Sequence, residues 1–145
     1  MDFPITELLD EELSTDWLRR YFHPDGLKCP RCGSREEEAR TFRRTRRSGL
    51  VVYRCRQCTQ TYSLYSDTVF EHRQLTPMQV VLLVRGVCKG EPTATLAREL
   101  GITRGTVHDI RQALQANAQA LQPATPLQDH ETETDEMFQN AGEKR

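Results

Sequence analysis

The chain has no apolar run approaching the roughly 18 residues that a membrane-spanning helix needs, so nothing in it is expected to span a membrane. Its start, MDFPITELLDEEL, lacks the basic opening and apolar core of a secretory signal. A cytoplasmic place is the default expectation, and there paired cysteines serve metals more often than disulfides. Apolar residues make up only 37% of 145 positions and charged ones 28%. That is lean for one large core and suits small modules, one of them leaning on a metal. No repeat is visible beyond two cysteine pairs, and no acid occurs between Arg40 and Arg56.

What is present is unevenly spread. The net charge of −1 divides into −5 over residues 1–38, +6 over 39–73, +2 over 74–122 and −4 over 123–145. A basic middle between acidic ends points to an anionic partner for the middle alone. Four pieces follow along the chain. Residues 1–26 form a helical lead-in, with Leu8, Leu9, Leu13, Trp17, Leu18 and Tyr21 near helical spacing and a break expected at Ser14-Thr15-Asp16. Residues 27–74 hold the cysteine pairs, with strands expected at Ala39–Arg44, Leu50–Arg54 and Gln60–Tyr65. Residues 75–121 read as helical, opening with Thr76-Pro77 as N-cap and first helical residue. Residues 122–145 begin with a Pro-containing linker and are expected to lack stable structure, since a lone strand has no sheet to join.

The sharpest signal is Cys29-Pro-Arg-Cys32, 22 intervening residues, then Cys55-Arg-Gln-Cys58. A two-residue gap lets both thiolates of a pair reach one ion from a tight turn. Two such knuckles complete a sulfur tetrahedron that suits one structural zinc and leaves no open position for catalysis. Rubredoxin-like iron remains the rival, since the ligand set alone does not exclude it. The interval leaves room for a hairpin, which gives a zinc ribbon. Gly33 follows the first pair, where a positive φ would turn amides toward the sulfurs. Cys88 falls with Val80, Val81, Val84 and Val87 on an apolar helix face and is expected to be a small buried core residue. The histidines are not needed as ligands.

Two further features point to nucleic acid. Arg40, Arg43, Arg44, Arg46, Arg47, Arg54 and Arg56 lie in 17 residues, with Phe42 and Tyr53 interleaved. Arginine forks match phosphate oxygens, so this hairpin could lie along a duplex backbone. The bland alternative is a solvated loop, or one neutralised by the Glu36-Glu37-Glu38 run. Downstream, Leu96 and Leu100 precede Gly101, Ile102 follows, and Val107 and Ile110 lie three apart. That spacing fits a helix-turn-helix, with Ala97 small where the helices cross. Thr103 would cap the second helix, and Arg104, Thr106, His108, Arg111 and Gln112 would face outward toward duplex DNA. Asp109 shares that face and would repel phosphate. An ordinary helical hairpin is the plain alternative.

In order, the chain carries an acidic helical lead, His23-Pro-Asp-Gly26, CPRCGS, a basic hairpin, YRCRQC, a Ser66-Asp-Thr-Val-Phe70 stretch and LAREL-GIT. Over residues 1–122 this resembles the N-terminal half of bacterial insertion-sequence transposases that begin with a zinc ribbon. The resemblance extends to Glu133–Phe138, which looks like the first strand of their DDE-type catalytic domain. It implies an RNase H-like fold there, with Asp135 matching the first metal-binding carboxylate. Later carboxylates are missing from this sequence, so the chain as it stands is expected not to be catalytic alone.

The expectation is therefore a small α+β fold: a three-stranded antiparallel zinc ribbon with two cysteine knuckles, then a helix-turn-helix. Its function would be zinc-dependent recognition of mobile-element ends in DNA transposition, in a bacterial, nucleoid-associated setting. Double-stranded DNA is the expected partner, with self-association or an intact transposase beside it. A truncated copy that kept DNA binding would occupy element ends and inhibit the intact enzyme. The alternative is a free-standing zinc-ribbon transcriptional regulator, and Asp135 is the residue that separates the two.

Overall fold

The computed structural model describes Phe3 and residues 9–121; the linker and the strand expected around Asp135 lie outside them. The first helix, α1, spans Glu11–Phe22. Asp10 caps it by accepting the Leu13 N–H at 2.9 Å, and Glu11, Glu12 at its start and Arg19, Arg20 at its end complement the helix dipole. The expected break at Ser14-Thr15-Asp16 does not occur. Ser14 is fully buried, and the Thr15 hydroxyl donates to the Glu11 carbonyl at 2.7 Å, so these polar side chains are accommodated within the helix.

A short 3-10 turn, Glu36–Glu38, leads into β1, Ala39–Arg44. Strand β2 is Val51–Cys55 and β3 is Thr61–Tyr62, giving an antiparallel sheet of order β1-β2-β3. Ala39 faces Cys55 and Thr41 faces Tyr53, but Arg43 then faces Val52, so Phe42 is the extra residue of a bulge. The bulge lets the Arg54 guanidinium sit 4.6 Å from the Phe42 ring centre. The third strand is shorter than expected. Ser63 N–H donates to Ser66 Oγ at 2.9 Å and Ser66 N–H returns to the Ser63 carbonyl at 3.1 Å, which bends the chain away from the ladder.

Three helices follow: α2 at Pro77–Cys88, α3 at Thr93–Leu100 and α4 at Arg104–Ala120. Thr76 and Gln79 form a reciprocal capping box at the start of α2. The Gln79 side-chain amide also donates to the Leu100 carbonyl at 2.9 Å, tying the start of α2 to the end of α3. Glu11 accepts the Met78 N–H at 3.0 Å, which ties α1 to the same point. Gly101, at φ +66°, turns α3 into α4, and the Ile102 N–H closes on the Ala97 carbonyl at 3.0 Å.

One apolar cluster joins all of these parts. Trp17 and Leu18 of α1, Leu50 and Leu64 from the sheet region, Phe70 and Leu75 from the connection, and Val80, Val81, Leu83, Leu96, Val107 and Ile110 from the later helices are buried together. Phe70 is wholly buried, and the Tyr65 hydroxyl donates to the Leu75 carbonyl at 2.7 Å. The connection between sheet and helices is thus packed into the core. Burying Phe70 alone contributes about 2–3 kcal/mol. A second, smaller cluster of Leu27, Cys29, Cys55 and Tyr62 surrounds the cysteines.

Cys88 corrects an expectation: it is exposed. It is the last residue of α2, beyond the turn at Gly86 where α3 crosses, so no element covers it.

Candidate metal centre and basic surface

The four sulfurs of Cys29, Cys32, Cys55 and Cys58 all lie within 4.8 Å of one another. Cys29 and Cys58 sulfurs are 3.4 Å apart, and those of Cys32 and Cys55 3.5 Å. A disulfide requires about 2.05 Å, and all four are free thiols. A sulfur tetrahedron around zinc, with bonds of about 2.3 Å, has edges of about 3.8 Å. The observed spacings bracket that value, so the donor set fits one zinc ion.

The two knuckles are built alike, 26 positions apart in the chain. Cys29 N–H donates to the Ser34 carbonyl at 2.9 Å, and Cys55 N–H to the Gln60 carbonyl at 2.9 Å. Gly33 N–H returns to the Cys29 carbonyl, and Thr59 N–H to the Cys55 carbonyl. The Lys28–Arg35 bridge matches the Arg54–Thr61 pairing of β2 with β3. Gly33 and Thr59 both have positive φ, +76° and +63°. This turn frees amides to aim at sulfur: those of Ser34 at Cys32, of Gln57 and Cys58 at Cys55, and of Gln60 at Cys58.

The thiols answer to these surroundings and to each other. The Ser34 hydroxyl first, then its amide, lowers Cys32 to about 6. The amide of Cys58, then that of Gln57, lowers Cys55. The Gln60 amide acts to lower Cys58, but desolvation and the other three sulfurs outweigh it and push that thiol up to about 12. Four sulfurs this close resist shedding all their protons unless a cation shares the charge, and a bound metal supplies that charge.

The base of the hairpin adjoins this cluster, where Ala39 faces Cys55, and its turn lies at the other end of the ladder. Arg43, Arg44, Arg46 and Arg47 are all exposed at the end of β1 and on the turn into β2. The turn is held by Thr45, whose N–H donates to the Leu50 carbonyl at 2.9 Å and whose hydroxyl meets that of Ser48. Arg44 donates to the Gly49 carbonyl at 2.8 Å. Among the described residues, Glu36–Glu38 form no ion pair with these arginines; Glu36 instead pairs with Arg19 of α1 at 2.6 Å.

At the start of α4, Thr103 caps the helix by accepting the Thr106 N–H at 3.2 Å, and the two hydroxyls are 2.9 Å apart. Arg104 and His108 are exposed, and Thr106 is half-buried. Arg111 is half-buried and donates to the Glu91 carbonyl, so it braces the α2–α3 turn. Asp109 is 3.8 Å from Arg73. Arg47, His72, Arg73, Thr103 and Thr106 line one groove. His72 and Arg73 escaped the sequence reading because only the path of the chain after Phe70 brings them there. Asp135 lies outside the described residues.

Over the described residues, fold and site together define a small α+β protein with a three-stranded antiparallel sheet, four helices and a four-cysteine cluster suited to a metal. No protein-family model matches the chain, and no curated protein or solved structure does either. No helix among the described residues is long and apolar enough to cross a membrane.

Proposed function

We propose that this chain is a zinc-stabilised DNA-binding unit, the N-terminal region of a transposase that recognises mobile-element ends. The observation that carries the reading is the hairpin: four exposed arginines at its tip, at the other end of the ladder from Cys55 of the four-cysteine cluster, with no acidic side chain paired to them among the described residues. In this reading zinc is structural. Its chemistry is to hold four thiolates and so fix the hairpin, and strand cleavage is not assigned to these residues. The α3–Gly101–α4 segment acts as the helix-turn-helix. Base reading falls to Arg104 and His108, because Thr106 is engaged in the cap and Arg111 in the Glu91 contact.

The test is fluorescence anisotropy with zinc-loaded protein, using the inverted repeats that flank the gene and a scrambled duplex at matched salt. Preference for the repeats, lost when zinc is chelated, is expected. Equal binding to both duplexes sinks the transposase reading and leaves general DNA binding. A preference for the gene's own promoter instead selects the regulator alternative.

A further inference from the structure

The groove between the β1–β2 turn and the start of α4 joins elements far apart in sequence. It has a volume of about 650 Å³ and is lined by Arg47 of the turn, by His72 and Arg73 of the connection, and by Thr103 and Thr106 of α4. No carboxylate lines it. Arg47 is exposed and has no ion-pair partner among the described residues. The Arg73 backbone is anchored: its main-chain N–H donates to the carbonyl of fully buried Phe70 at 3.0 Å. Two acids stand nearby. Glu71 lies 3.8 Å from His72, and Asp109 lies 3.8 Å from the Arg73 guanidinium.

We infer that this groove seats a backbone phosphate of duplex DNA between Arg47 and Arg73, and that Asp109 is the counter-charge holding Arg73 until the phosphate replaces it. The inference rests on the DNA-binding reading and adds to it a point where the hairpin and the connection grip one strand together, beside the start of α4. Two guanidiniums that line one groove from separate elements suit the several oxygens of a phosphodiester. The long 3.8 Å Arg73–Asp109 contact between half-exposed groups is weak. A phosphate therefore loses little by displacing it. Asp109, which on sequence grounds only opposes DNA, becomes a placeholder for it.

The experiment uses the full zinc-loaded chain and a random-sequence duplex, with affinity measured by anisotropy across a salt series. Arg47→Ala and Arg73→Ala should each weaken binding and each reduce the slope of log K against log salt by about 0.9. Asp109→Asn should strengthen binding several-fold, and that gain should vanish when Arg73→Ala is also present. A gain of affinity cannot come from misfolding, so this arm stays readable if an arginine variant folds poorly. If wild type binds but the arginine variants keep its slope, the phosphate seat is wrong and DNA binding stands. A gain from Asp109→Asn that persists without Arg73 overturns the placeholder role. If wild type binds no duplex, both readings fall.

Discussion

The two knuckles make a controlled comparison of single residues. Gly33 and Thr59 hold equivalent places at φ +76° and +63°. A β-branched residue held there carries strain of about 1 kcal/mol or more. Thr59→Gly should therefore raise the stability of the metal-loaded protein, by up to about 1 kcal/mol after the added freedom of the unfolded chain is counted. Gly33→Ala should lower it by about 1 kcal/mol. Denaturant titration reads both, and the same sign for the two would mean the knuckles are not equivalent. The tyrosines make a second contrast. Tyr62 is buried, and its hydroxyl has no hydrogen-bond partner among the described residues, whereas the Tyr65 hydroxyl donates to the Leu75 carbonyl. Tyr62→Phe should be neutral or stabilising by up to about 1 kcal/mol, and Tyr65→Phe should cost about 1 kcal/mol. Desolvation, reinforced by charge on Cys29 and Cys55, pushes Tyr62 up to about 12, and desolvation also raises Tyr65. The folded protein keeps protons that the unfolded chain releases near pH 10, so their contribution is complete below about pH 10 and fades above it. Tyr62→Phe should flatten part of that alkaline slope in unfolding curves.

Among the elements, α2 and α3 approach closely at Gly86. A Cβ on Gly86 would stand 2.2 Å from a methyl of Leu96, itself buried in the core. Gly86→Ala should destabilise by about 1–3 kcal/mol through overpacking, despite alanine's better helix propensity; a stabilised variant in thermal melts would show that Leu96 has room to move. The sheet depends on different forces. Its own apolar cluster is small, so metal removal should cost it its order. Trp17, the sole tryptophan, sits in the larger cluster, which the helices dominate and to which the sheet region adds Leu50 and Leu64, so it reports chiefly on the helical part. A chelator should abolish the amide protection of Val51–Cys55 while the Trp17 emission stays blue. A red shift in step with the loss of protection would mean that sheet and helices unfold as one unit. Local features were the ones readable from sequence. Strand β1, the Thr76 cap of α2, the Thr103 cap of α4 and the turn at Gly101 depend on residues within three or four positions. The knuckle spacing was legible for the same reason. Tertiary facts were not: that Ser14 is buried, that α2 outruns its cover at Cys88, and that Leu96 fills the space a side chain at Gly86 would need.

On the scale of the whole molecule, charge is arranged rather than summed. Residues 39–73 carry +6 within a chain of net charge −1. The fold sets part of the acidic portion against them, because Glu11, Glu12 and Asp16 of α1 line the cleft that Arg44, Arg46 and Arg47 line from the other side. Glu11 is committed to capping Met78, so its replacement would confuse stability with charge. Glu12 and Asp16 are exposed. They weaken the positive field of the hairpin that an approaching duplex meets, and field strength governs association more than contact does. The double variant Glu12→Gln, Asp16→Asn should therefore bind random duplex DNA several-fold more tightly at low salt, chiefly through faster association. Screening shortens the reach of these charges from about 10 Å at 0.1 M to about 3 Å at 1 M, so the gain should shrink as salt rises. Stopped-flow association rates across a salt series make the measurement. An increase in affinity that survives high salt would have to come from a direct contact or a changed fold, and the field argument would then be wrong.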